Sequence, residues 1–280
     1  VDRLVTGVVT TAFAIAMVPL VSLAFTAVTN GIAGISAEFF SNSMRNVVGA
    51  GGGAVHAIYG TLIVTGLTTL ISVPIGLLCA IYLVEYGQGR RLARSITFFV
   101  DVMTGIPSIV AGLFAYALFG VLFGPGTVNG LAGAVALSVL MIPTIVRSAE
   151  EYLRLVPHEL REASYALGVP KWRTILKIVL PTAMAGIVTG VILAIARVIG
   201  ETAPLLVTMG YTDSLNVNPT AHAMTTLPVF VYYQFMQPGE PAAAYLTRAW
   251  TGALTLVVIV MLLNAIGRLV ARRFAPKSHA

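Results

Sequence analysis

The stretch Glu162–Pro181 reads EASYALGVPKWRTILKIVLP. It is the one long polar interruption among apolar segments that carries an order of its own. Glu159, Arg161, Glu162, Ala163 and Ala166 lead in with the spacing of an amphipathic helix. The pattern breaks at Gly168 and Pro170, then restarts through Trp172, Ile175 and Ile178 to Pro181. Gly takes backbone angles that other residues resist, and Pro suits the first turn of a new helix. The expectation is helix, sharp turn, helix, lying at a membrane surface rather than crossing it.

Around this stretch the chain is apolar. Of its 280 residues 57% are hydrophobic and 10% charged, against about 25% charged in a soluble domain. That composition reads as an all-α polytopic membrane protein, since lipid leaves only helices or closed barrels and the alternating pattern of a barrel is absent. A span needs about 20 apolar residues. Six segments qualify: Leu4–Val28, His56–Val84, Ile96–Phe123, Asn129–Val146, Val179–Val207 and Ala249–Val270. Leu4–Val28 is too long for a signal-peptide core and reads as a retained anchor. No domain boundary stands out, so 1–280 reads as a single transmembrane domain, with a core over 56–270 and the polar loop over 150–181.

The net charge of +6 is read by location rather than as a nucleic-acid footprint. Arg3, Arg90, Arg91, Arg94, Arg147, Arg154, Arg161, Lys171, Arg173, Lys177, Arg268, Arg272, Arg273 and Lys277 fall on one side of these spans, fourteen of the seventeen basic residues. Arg45 and Arg248 fall on the other, and Arg197 lies within a span. The positive-inside rule places both termini and the Glu162–Pro181 loop in the cytoplasm. On the far side, Gly49–Gly53 reads as a flexible tract. Leu227–Phe235 is apolar but too short to span. It is either an interfacial helix with Tyr232 and Tyr233 at the headgroups or a segment packed against the spans.

Arg197 and Glu201, within RVIGETAPLL, stand i, i+4 in the fifth span and share a helix face there. A charge at the bilayer centre costs about 2.5–3.5 kcal/mol on insertion scales, so it faces a bundle interior or a water path. Two readings stay open: a pathway element that meets a charged solute, or an intrahelical pair that fixes packing. Thr104 and Ser108 offer hydroxyl donors or serve helix packing. Asp101 reads as solvated or paired with Arg94 or Arg91. His56, His158, His222 and His279 lack metal-ligand spacing, so no metal is expected. No Gly-x-x-x-x-Gly-Lys-Ser/Thr loop and no Ser/His/Asp set occurs. The chain is expected neither to hydrolyse ATP nor to act as an enzyme.

The Glu162–Pro181 pattern resembles the cytoplasmic loop of permease subunits of ATP-driven (ABC) importers, the binding-protein-dependent, MetI-like family. Glu162, Ala163, Gly168, Ile178, Leu180 and Pro181 fall in register with that family's pattern, and Ser164 replaces a second Ala. The run Arg197–Leu205, with Gly200, Glu201, Thr202, Ala203 and Pro204, and the stretch Gly105–Gly112, GIPSIVAG, are similar to the Pst-type phosphate permeases, the A-type side in particular. The resemblance covers most of 56–270; Leu4–Val55 carries no specific motif. It implies six transmembrane helices in the type I importer permease fold, in a prokaryotic plasma membrane. It implies that Glu159, Glu162, Ala163, Ser164, Gly168 and Pro181 couple to an ATPase. It also implies a pathway past Arg197, Glu201, Thr202, Thr104 and Ser108. The implied partners are a second homologous permease, a dimeric ATPase carrying the ATP and Mg, an external phosphate-binding protein and the lipid bilayer. A permease for molybdate or sulfate, or a secondary transporter needing no ATPase, remains as an alternative.

Overall fold

The computed structural model describes residues 2–274; Lys277 and His279, singled out above, lie outside the described residues. Every regular element among the described residues is a helix. A long helix α1 (Asp2–Gly31) leads through a short α2 (Ala37–Ser41) to α3 (Val55–Ile81), which ends in a π-turn over Tyr82–Tyr86. Then come α4 (Arg91–Gly105), α5 (Ser108–Phe123), α6 (Gly130–Arg154) and the short α7 (His158–Ala166). One turn, α8 (Lys171–Thr174), runs through a second π-turn, Ile175–Val179, into α9 (Leu180–Ile199). Short α10 (Ala203–Thr208) and α11 (Leu227–Met236) precede the long α12 (Ala242–Phe274).

Five of these runs are long and apolar enough to cross a membrane: Arg3–Gly34, Val55–Tyr86, Gly130–Arg154, Lys171–Ile199 and Ala242–Arg273. The expected third span, Ile96–Phe123, is not one rod. α4 and α5 meet at 110° and make a sixth crossing only if counted together. The break falls at Ile106–Pro107, where Ile106 is extended (φ −73°, ψ 130°). A residue before Pro is pushed out of the helical region, and Pro itself lacks the N–H the next rung needs. α4 is amphipathic, burying Ala93 and Val100 against Leu83 and Val146 while Leu92, Phe98 and Phe99 stay exposed.

The packed centre is formed by α3, α6 and α9. Val64, Leu137, Met141, Ile145, Ala194 and Val198 close it, with Leu205 from α10 and Met209 just past its end. A second cluster on the α7 side joins Ala80, Leu153, Val179 and Ile187. Thr68 Oγ1 donates across helices to the Ala134 carbonyl at 3.3 Å, the kind of short polar link that serves helix association in lipid. α1 touches this body through α12 and leaves most of its length exposed.

At the opposite end one expectation changes and one of two open readings is decided. Gly49–Gly53 is tied down, because the buried Arg248 donates to the Gly49 and Gly51 carbonyls at 2.7 and 2.8 Å and the Gly52 N–H donates to Glu38 Oε1 at 3.0 Å. α11 is packed rather than interfacial. Leu227, Val229 and Phe230 are fully buried, Phe230 stacks edge-on to His56, and the α11 N–H of Leu227 bonds Thr61 Oγ1 at 2.8 Å. Tyr232 alone of the two tyrosines is exposed; Tyr233 leans on Tyr211. There, burial and then the Asp213 carboxylate push the Tyr211 phenol above its ordinary range.

Candidate functional site

The helix–turn expectation holds at α7. The helix ends at Ala166, and Gly168 takes φ +73°. The Gly168 N–H bonds the Tyr165 carbonyl at 2.9 Å and the Val169 N–H bonds the Ser164 carbonyl at 3.2 Å. This is a Schellman closure, which needs a left-handed residue where Gly168 stands. Beyond the turn the structure departs from the expected second surface helix. Lys171 instead begins the fifth span, which runs unbroken from Lys171 to Ile199. Pro181 lies inside that run. Its missing N–H and its ring disturb the rung at Lys177, and the Ile175–Val179 π-turn sits around that residue.

α7 therefore stands between α6 and the fifth span as a short projecting helix. Its outer face carries Glu159, Glu162 and Ala163, all exposed, flanked by exposed Leu155, Leu160, Leu167 and Trp172. Its inner face carries Arg161 and Ser164, both buried. Ser164 Oγ and Thr174 Oγ1 lie 2.8 Å apart, so the Ser that stands for the pattern's second Ala gains a hydroxyl partner across the turn.

Arg161 is the feature sequence reasoning did not find. Its Nη2 and Nε donate to Glu85 Oε1 at 2.8 and 3.1 Å. Nη1 donates to the Val156 carbonyl at 2.7 Å, and Nη2 also to the Leu153 carbonyl at 3.1 Å. Glu85 belongs to the π-turn that ends α3, and its own carbonyl accepts from Lys171 Nζ, which also sits over the Tyr86 ring. The available signal was a lone carboxylate, Glu85, closing a long apolar run on the side that holds most of the cations. A cavity of about 440 Å³ opens beside this knot, with Arg154, His158 and Tyr165 on its wall.

The intramembrane candidates are arranged differently from their spacing. Arg197 stands in the last turn of α9, which ends at Ile199. The Gly200 and Glu201 N–H groups close it with tight bonds to Arg197 and Val198 carbonyls. Glu201 lies in the connector beyond, so the shared helix face does not exist. Gly200 and Pro204 end one helix and start the next. Among the described residues Arg197 and Glu201 form no ion pair; Arg197 is exposed and Glu201 half-buried. Thr202 heads α10 half-buried, its carbonyl accepting from Leu205 and Leu206. Thr104 is exposed on α4 and donates to the Asp101 carbonyl at 2.6 Å. Asp101 pairs with Arg147 of α6, not with Arg91 or Arg94. Arg147 also meets Glu150, which binds Arg154 at 2.5 Å.

Ser108 is the first residue of α5, half-buried. One turn further, Gly112 lies against α10: a Cβ there would stand 2.6 Å from Pro204 Cα. The two separated motifs, GIPSIVAG and ETAPLL, thus meet at Gly112 and Pro204. Ser108 and the Glu201–Thr202 connector each lie next to that contact along the chain, while Thr104 stands beyond the α4–α5 bend.

Several solved structures share this fold. A chain of the MetNI methionine ABC transporter, inward facing, matches at TM-score 0.65 with 24% identity, covering 79% of this chain and 96% of that one. A chain of a bacterial alginate ABC transporter in complex with its periplasmic protein matches at TM-score 0.69 with 13% identity, covering 97% and 95%. Among sequence relatives, the phosphate transport system permease protein PstA 1 of Mycobacterium tuberculosis is 47% identical over 269 residues, 94% of this chain and 87% of that protein. The phosphate transport system permease protein PstA of Yersinia pestis is 40% identical over 260 residues, 93% and 85%. A family model, the binding-protein-dependent transport system inner membrane component, matches residues 72–279. By that match and by those identities, the chain belongs to the family of binding-protein-dependent transport system inner membrane components.

Proposed function

We propose that the chain is a permease subunit of an ATP-driven importer of inorganic phosphate. The observation that carries the solute is the 47% identity over nearly the whole chain to a phosphate permease. The fold supports the mechanism. α7 projects between two spans with an acidic, partly apolar outer face, the shape of a helix that seats in a groove of another protein. In this reading a dimeric ATPase binding ATP and Mg takes α7 on the cytoplasmic side, where both termini also lie. A second permease completes the bundle, and an external binding protein delivers the anion.

ATP binding and hydrolysis then bias two discrete packings of the spans, open to one side or the other. Arg197 is the cation an anion meets along the path. Glu201 keeps that site from holding it too well, and Thr202, Ser108 and Thr104 offer hydroxyls. The test is uptake by the chain reconstituted in liposomes with its second permease, ATPase and binding protein. ATP-dependent phosphate uptake is the expected result; uptake of sulfate or molybdate instead would keep the importer and remove the phosphate assignment.

A further inference from the structure

The polar knot under α7 is built to hold, not to bind. Of the cations around the cavity, Arg161 is spent on Glu85 and three carbonyls, Lys171 on the Glu85 carbonyl, and Arg154 on Glu150. A small anion entering there finds its donors already engaged. What the knot does is join four pieces of chain, one of them far from the other three in sequence. These are the π-turn ending α3 (Glu85), the C-terminal end of α6 (Leu153 and Val156), α7 itself (Arg161) and the start of the fifth span (Lys171).

α6 and the fifth span are bound to α7 by the chain. α3 is not: it packs along α6 and α9, and its direct link to α7 is the pair that Glu85 forms with Arg161, 76 residues away in sequence. A buried ion pair gains little stability over apolar side chains of similar volume, because desolvation offsets the attraction. Its geometric demand is strict, since a guanidinium committed to a carboxylate and three carbonyls has one orientation. The π-turn places Glu85 there, and single π-turns in helices concentrate at functional sites.

Resting on the importer function proposed above, we infer that Glu85 and Arg161 are positioning residues for coupling. They clamp α3 to α7, so that a displacement of α7 by the ATPase moves α3 with α6 and the fifth span as one body. Without the clamp, α7 moves and the π-turn end of α3 lags, while the rest of α3 stays packed on α6.

The assembled transporter carrying Glu85→Gln, of nearly the same shape, or Arg161→Lys, which keeps the charge but loses the fork, tests this. Phosphate uptake and binding-protein-stimulated ATP hydrolysis are measured on the same liposomes. The expected result is hydrolysis near the wild-type rate with several-fold less phosphate moved per ATP. An unchanged ratio in both variants overturns the inference. So does a parallel loss of assembly, uptake and hydrolysis, which would make the pair a folding element only.

A second measurement is independent of the solute. Spin labels at Gln88 and Leu167, both exposed, are placed in a Cys79→Ser background and followed with and without ATP. The separation is expected to stay fixed in the wild type and to change with ATP in Glu85→Gln. Should the wild-type complex move no phosphate, the solute assignment falls while this distance still decides the clamp. A wild-type separation that changes with ATP contradicts it.

Discussion

At one end of the Lys171–Ile199 helix, Lys171 is bonded to the Glu85 carbonyl and the neighbouring Arg161 is saturated by a carboxylate and three carbonyls. At the other end Arg197 has no ion-pair partner among the described residues, and Glu201 stands half-buried just past the helix end. The same helix thus finishes its polar chemistry at one terminus and leaves it open at the other. A charge in a membrane span without a partner is costly unless water, solute or protein meets it. The contrast separates a part completed within the chain from a part completed by what the chain works on or with.

The largest effect is expected where the projecting helix meets its partner. Glu162→Lys with Gly168→Asp puts the wrong sign on the outer face and a side chain at φ +73°, where a non-Gly residue costs about 1–2 kcal/mol. ATP-driven uptake should vanish while the chain still assembles with the second permease; full uptake in this variant would remove α7 from the coupling role. Next comes the open end. Arg197→Ala should lower uptake about tenfold, equivalent to roughly 1.4 kcal/mol of barrier, with an unchanged melting temperature, because the side chain is exposed and forms no ion pair among the described residues. A lower melting temperature with normal uptake would make Arg197 a packing residue.

A smaller effect is expected at the motif contact. Gly112→Ala drives a methyl into the backbone at Pro204, whereas Gly120→Ala on the same helix meets nothing within 4 Å. Uptake should fall in the first and hold in the second, and equal behaviour would mean that the α5–α10 contact does not position Glu201 and Thr202. The smallest change belongs to the finished end. Ser164→Ala restores the family's small residue and leaves Thr174 its bond to the Pro170 carbonyl. The loss should be about 1 kcal/mol of stability, read as a slightly lower melting temperature with uptake near normal.

What can be read in the sequence is what is local. The amphipathic spacing around Glu159–Ala166 and the Gly at 168 fix α7 and its closure, because period and left-handed turn are short-range properties. Long apolar runs fix the spans for the same reason. Pro107 carries the signal for the α4–α5 break, but apolar length across Ile96–Phe123 masks it. Gly200 and Pro204 likewise outweigh the i, i+4 spacing of Arg197 and Glu201, since spacing has meaning only while the helix continues. Glu85–Arg161 and Asp101–Arg147 have no local signal: each joins residues dozens of positions apart, and only the packing of α3, α4 and α6 brings them together. Gly49–Gly53 looks loose in the sequence because its restraint, Arg248, comes from the far end of the chain.

The measurement that bears most directly on the central claim is ATP-driven oxyanion uptake. Proteoliposomes holding the chain, its permease partner, the ATPase and the binding protein are loaded with ATP and offered phosphate, sulfate or molybdate outside. The account predicts accumulation of phosphate, dependent on ATP and strongly reduced by Arg197→Ala. Accumulation of phosphate without ATP, or of another anion in its place, would contradict it.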